Sequence, residues 1–241
     1  ANSYIVKFSS INMSKCSEQF DVLSNALRIL PEEAARLDYL CNKVNDPEEG
    51  ISNIEIASVN VLNQFYGMML NLKEDGVLSS IYEDDAINTI LCIRHVLQHQ
   101  SGRIKNTLRD SFNNALPQNV ALINYSVSGE PMTDFPFYLN LGWMNDQIGK
   151  SNNAKKLVGI KTKWNLDKIE ADLSKESLDA DCIYINIMAF ITEATRQLCK
   201  LYGAHFQPNG YDSRVYYSHF SSIDEVEANN YVITKFDGTR T

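Results

Sequence analysis

The segment Ile90-Leu91-Cys92-Ile93-Arg94-His95-Val96-Leu97-Gln98-His99 decides how the chain is read. At about 100° per residue, Ile90, Ile93, Val96, Leu97, Ile104 and Leu108 gather on one arc of a helix. Arg94, His95, Gln98, His99, Gly102, Asn106 and Arg109 gather on another. This amphipathic pattern predicts one long helix that opens on Glu83-Asp84-Asp85, acids suited to the positive end of the helix dipole, and runs to Pro117. A permanent cation and two imidazoles thus fall on the polar side within about one and a half turns. Two of the four histidines are concentrated here, followed by Arg103, Lys105 and Arg109, in a chain that is acidic overall.

Upstream, apolar residues at helical spacing (Phe20, Leu23, Leu27, Leu30) predict a first helix from Ser14, ended where Pro31 starts a second through Leu37, Leu40 and Val44. The cluster Asn45-Asp46-Pro47-Glu48-Glu49-Gly50 reads as a turn. Ser52 and Glu55 form a capping box for a third helix, with Ala57, Leu62, Tyr66, Met69 and Leu70 as its stripe. Ser3 to Phe8 reads as a strand or extended arm, and Val120 to Tyr125 as a strand. Asn165 caps a short helix through Leu173, and a strong helix is expected from about Leu178 to Tyr202. After Pro208-Asn209-Gly210, Val215-Tyr216-Tyr217 and Tyr231-Val232-Ile233 suggest a terminal hairpin or extended tail. The expected fold class is mainly α, with small β additions at the N-terminus and in the C-terminal third. Residues 1–117 form a motif-bearing helical part and 118–241 an extension packed on it as one unit.

The chain of 241 residues carries 22 basic and 30 acidic side chains, a net charge of −8. That balance excludes a role coating DNA without sequence preference, which requires neutralising many phosphates, but leaves room for a focused site. Five scattered cysteines, Cys16, Cys41, Cys92, Cys182 and Cys199, read as free thiols in a reducing, cytoplasmic setting. No apolar run reaches the length of a membrane span, and no signal-peptide layout opens the chain, so no membrane partner is expected. There is no phosphate-cradling glycine loop, nucleophile elbow, zinc-protease helix motif or Cys-x-x-Cys pair, and no metal or other cofactor is expected. Asp179 and Asp181 read as acids at a helix start.

The chemistry of the motif suits RNA cleavage without a metal. Attack of a ribose 2′-hydroxyl on the adjacent phosphate needs a base, an acid for the leaving 5′-oxygen, and a cation for the charge that develops on phosphorus oxygens. Imidazole titrates near neutrality and guanidinium grips phosphate oxygens as a fork.

Arginine, a polar residue, three further positions and then histidine is the hallmark of the HEPN superfamily, the higher eukaryote and prokaryote nucleotide-binding domains. Arg94-His95-Val96-Leu97-Gln98-His99 resembles it, and so do its surroundings from about Ser14 to Pro117, an acidic-start long helix bearing the motif and the two or three amphipathic helices before it. The resemblance implies a HEPN-type helical bundle and an endoribonuclease of toxin or antiviral defence biology, with RNA as substrate. It implies a homodimer whose two motifs build a composite site, and an antitoxin or regulatory protein as a further partner. His99 is then the acid or base, Arg94 the transition-state clamp, and His95 the residue orienting the pair. Arg103, Lys105, Asn106 and Arg109 are candidate contacts to substrate phosphates. Some members carry a tyrosine two residues beyond the motif histidine, where a partner enzyme modifies it; here that position is Ser101.

A second copy of the spacing, Arg214 to His219, lacks the polar second residue. In the strand expected there it would place the two side chains on opposite faces, which marks it as coincidental. The rival readings are a non-catalytic helical interaction module, with the motif salt-bridged or covered, and a nucleotide-sensing domain that binds without cleaving.

Overall fold

In the computed structural model, residues 15–99 and 104–237 are described. The arm expected over Ser3 to Phe8 lies outside them, as do Ser101, Gly102 and Arg103. The described chain is mainly α-helical with a small mixed sheet.

Helix α1 (Lys15–Tyr39) carries the expected apolar stripe but does not stop at Pro31. The proline removes one N–H from the ladder, at a cost of about 3 kcal/mol for an interior position. Phe20, Leu23, Leu27 and Leu30 on one side of it, and Leu40 beyond Tyr39, are buried, and this continuous packing against α2 (Pro47–Glu74) keeps the rod intact. A π-helical turn over Leu40–Val44 ends it, with Asn45 in the left-handed region. Helix α2 begins earlier than the capping-box reading, because Asp46 Oδ1 accepts from Glu49 N at 3.0 Å and Pro47 takes the first helical position. Ser52 and Glu55 are therefore interior to it.

Helix α3 (Asp85–His99) starts on the Asp84 carboxylate, which accepts from Ile87 N at 3.0 Å. It does not run to Pro117. Residues 104–106 are non-helical, and Asn106 forms a β-bridge with Leu139 before its side chain caps the short helix α4 (Thr107–Phe112). Asn106 Nδ2 also donates to Ile104 O and to Glu55, so its side chain stabilises a bend that a helical path would forbid.

The sheet is centred on β1 (Asn119–Val127), which pairs antiparallel with β2 (Glu130–Pro131) and, on another register, with β5 (Val226–Asp237). β1 runs parallel to β4 (Ile183–Asn186), and β4 pairs antiparallel with β3 (Tyr138–Asn140). The strands expected at Val120 to Tyr125 and Tyr231 to Ile233 are present. Two helix and strand expectations are reversed. Ile183, Tyr184 and Ile185 open the expected helix as the buried strand β4. The helix α8 (Ile187–Tyr202) starts only after Asn186 accepts from Met188 N. Conversely, Val215 to Tyr217 lie in helix α9 (Tyr211–Ser222), because Tyr217 and Phe220 at helical spacing find buried partners. Tyr217 packs edge-on against Phe20 and Phe206. The stretch between β3 and β4 forms α5 (Leu141–Gly149), α6 (Leu157–Lys163) and α7 (Leu166–Ser174). Asn165 precedes α7 as expected, but in the left-handed region and without a capping bond.

Trp164 joins the layers. Its Nε1 donates to Thr89 Oγ1 of α3 at 2.8 Å, its carbonyl accepts from Tyr125 Oη of β1 at 2.6 Å, and its ring packs on Phe190 of α8. The apolar core therefore runs without interruption from α1 through α3 to β1 and α8, across the 117/118 boundary. Among the described residues no helix is long and apolar enough to cross a membrane.

Burial governs the thiols. All five cysteines are free, and burial pushes Cys16, Cys92 and Cys199 up to about 12. A raised thiol pKa keeps the unreactive protonated form until the pH approaches that value. Alkylation of the native protein at pH 8 is expected to spare these three and to modify Cys41 first, whereas all five react in denaturant; peptide mass spectrometry reads the sites.

Candidate functional site

Helix α3 is hemmed in by α2 and α8, with Ala86, Ile87, Ile90, Leu91, Cys92, Ile93 and Val96 all buried. The motif occupies its last turns. Arg94 and His95 are half-buried and Gln98 is exposed, so the polar residues border the apolar contact as the helical wheel requires. The His99 backbone closes the helix; its side chain lies outside the described residues. Positions 94 and 99 are separated by about 7.5 Å along the axis and about 140° around it.

Arg94 reaches α2. Its guanidinium carbon lies 3.9 Å from the centroid of the Tyr66 ring, and its Nε donates to Asn63 Oδ1 at 3.2 Å. Asn63 and Tyr66 are three residues apart on α2, and Arg94 and Gln98 four apart on α3, so each pair shares one helix face. Gln98 Nε2 approaches the same Asn63 oxygen at 3.5 Å. Among the described residues no carboxylate stands within 4 Å of Arg94, and no partner takes its terminal nitrogens. Burial lowers the Arg94 pKa, opposed by the fields of Tyr66 and Tyr82; the guanidinium stays charged at neutral pH because its ordinary value is so high. Burial pushes the Tyr82 hydroxyl up, against an Asn153 hydrogen bond and, more weakly, the Arg94 charge. Tyr82 also holds Lys156, whose ammonium donates to the Tyr82 carbonyl at 3.1 Å.

The remaining candidates divide. Arg103 lies outside the described residues. Lys105 is partly exposed, 3.8 Å from Asp181. Arg109 is 5% exposed and saturated by carboxylates: Nη1 donates to both Glu48 oxygens at 2.7 and 2.8 Å, and Nε and Nη2 donate to Glu55 at 3.1 and 2.6 Å. Asn106 is fully buried in the same network. These two side chains tie α4 to α2 and spend their donors inside the protein, which leaves none for a substrate phosphate. The Arg214 to His219 copy lies on a helix, not a strand. Arg214 Nη1 donates to the Asn209 carbonyl at 2.5 Å, which fixes the turn before α9.

The sequence alone does not single out Asn63, and its periodicity places Tyr66 on an apolar stripe. The signal available was their three-residue spacing on α2, but nothing local pairs them with a residue of α3. A second polar cluster, in which Tyr138 Oη donates to Asp134 and Tyr184 Oη to Asp110, sits on the sheet face away from the core with both tyrosines buried. A cleft of about 420 Å³ lined by Pro117, Val120, Leu178, Cys182, Lys235 and Phe236 shares no residue with the motif. Among the described residues no group of three or more His, Cys, Asp or Glu side chains is arranged to hold a metal ion. Comparison with protein-family models, curated proteins and solved structures gives no match.

The two arginines are separable by stability. Removing Arg109 leaves the charge of Glu55 unpaired, with the Asn106 amide as its remaining donor, so Arg109→Ala is expected to cost about 3 kcal/mol, at the low end for a broken buried pair because Glu48 is half exposed. Arg94→Ala loses one ring contact and one hydrogen bond, about 1 kcal/mol. Urea denaturation of both variants checks the order.

Proposed function

We propose that the chain is a metal-independent endoribonuclease of HEPN type. The observation that carries this reading is Arg94, a partly buried cation held by an amide and an aromatic ring and, among the described residues, left without a carboxylate counter-ion. A motif retained for packing alone would be expected to look like Arg109, with its charge neutralised inside the protein.

In this reading the scissile phosphate binds the Arg94 fork, which stabilises the charge that builds on the non-bridging oxygens as the 2′-oxygen attacks. His99 removes the 2′-hydroxyl proton or protonates the leaving 5′-oxygen, and His95 orients the pair. The products are a 2′,3′-cyclic phosphate and a free 5′-hydroxyl, which balances the displacement without water or metal. The angular separation of positions 94 and 99 on one helix favours a composite site in which a second copy supplies the other half of the acid–base set. Arg103 and Lys105 are the remaining candidates for contacts to flanking phosphates. Toxin or defence biology, an antitoxin-type regulator and a reducing cytoplasmic setting belong to the same reading.

Purified protein is incubated with single-stranded and structured RNA in excess EDTA. Cleavage is expected to persist, to leave 2′,3′-cyclic phosphate ends and to follow a bell-shaped pH profile. Arg94→Ala is expected to lose about 10²–10³-fold and His99→Ala about 10²–10⁴-fold. Arg214→Ala and His219→Ala serve as unaffected controls. Absence of cleavage by a folded wild type would overturn the proposal.

A further inference from the structure

The same helix α2 treats two arginines in opposite ways. To Arg109 it offers Glu48 and Glu55, which occupy Nε, Nη1 and Nη2. To Arg94 it offers Asn63 and Tyr66, which occupy Nε and one face of the plane and leave the terminal nitrogens unoccupied among the described residues. A guanidinium has five N–H donors in one plane, and the Nη1/Nη2 side forms a fork that matches two oxygens of one anion. With Nε anchored at 3.2 Å and the guanidinium carbon 3.9 Å from the ring centroid, the group is held at two points on α2 and neither contact uses its terminal nitrogens. Gln98 braces the Asn63 oxygen from the neighbouring turn of α3. The receptor carries one positive charge, matched to the single negative charge of a phosphodiester.

We propose that Asn63 and Tyr66 are positioning residues that hold the Arg94 fork open as a receptor for one backbone phosphodiester of a single-stranded nucleic acid. The choice of RNA within that class rests on the endoribonuclease reading. The amide at position 63 is the decisive feature: an acid there would close on Arg94, neutralise it and remove the receptor. The tyrosine contributes its ring face and not its hydroxyl, so phenylalanine replaces it and an aliphatic side chain does not.

The test is fluorescence anisotropy of a labelled, fully 2′-O-methylated RNA oligonucleotide, which cannot be cleaved, titrated with the full chain across a salt series. Arg94→Ala is expected to weaken binding about tenfold, the order of a lost charge-assisted pair, and to reduce the salt slope by about one. Asn63→Asp is expected to match Arg94→Ala in both respects, and the Arg94→Ala/Asn63→Asp double variant to lose no more than either alone. Asn60→Asp adds the same charge one turn earlier on α2 and is expected to change binding less than twofold. Tyr66→Phe should bind as the wild type and Tyr66→Leu several-fold more weakly, with far-ultraviolet circular dichroism confirming the fold of each. Binding by Asn63→Asp and Tyr66→Leu within twofold of wild type, while Arg94→Ala is weakened, would overturn the positioning role. Equal losses from Asn60→Asp and Asn63→Asp would overturn it as well. The expected binding pattern together with no cleavage of unmodified RNA would sustain the receptor and sink the ribonuclease reading alone.

Discussion

The burial of helix α3 against α2 and α8 is the constraint on which the rest depends. Nine of its residues are buried, and one of them, Thr89, accepts a hydrogen bond from Trp164, which ties α3 to β1 and α8. Interiors packed at this density do not deform gradually. The end of the helix is therefore held at a fixed height beside α2, and Arg94 meets Asn63 and Tyr66 as a consequence of core packing. The electrostatic character of the site follows. An arginine on the rim of a tightly packed helix pair is partly stripped of water, which makes any anion it accepts more strongly bound than at an open surface.

That gain requires the neighbours to leave the charge uncompensated. Asparagine satisfies a hydrogen bond without supplying a counter-charge, and a tyrosine ring attracts a cation through its quadrupole while leaving the in-plane donors unoccupied. Arg109 shows the alternative on the same scaffold. Its two carboxylates make it a structural bolt between α2 and α4, with its charge cancelled by partners in the protein. Position on an arginine-rich stretch does not distinguish the two roles; the chemistry of the facing helix does.

This is also where legibility in the sequence ran out. The stripe of Phe20, Leu23, Leu27 and Leu30, the β1 strand and the polar setting of Arg94 follow from short-range periodicity and are present in the structure. The role of Arg109 depends on Glu55 and Glu48, 54 and 61 residues away, and on a bend at Asn106 that a wheel drawn through residue 109 assumes away. The strand-forming look of Val215-Tyr216-Tyr217 was outweighed by long-range aromatic partners, Phe20 and Phe206, which reward a helical spacing. Pro31 signalled a break, but continuous packing against α2 kept one rod. In each case a tertiary contact outweighed a local preference of about one to three kcal/mol.

The most direct measurement is nuclear magnetic resonance of the arginine side chains in the ¹⁵N-labelled full chain. The Arg94 Nε–H signal is expected to be shifted by the Tyr66 ring current, slow to exchange, and returned towards the free-arginine position in Tyr66→Leu. Its Nη signals are expected to sharpen on addition of the non-cleavable oligonucleotide. An Arg94 Nε–H signal at the free-arginine position, indifferent both to Tyr66→Leu and to the oligonucleotide, would contradict the claim that α2 holds this cation open for a phosphate.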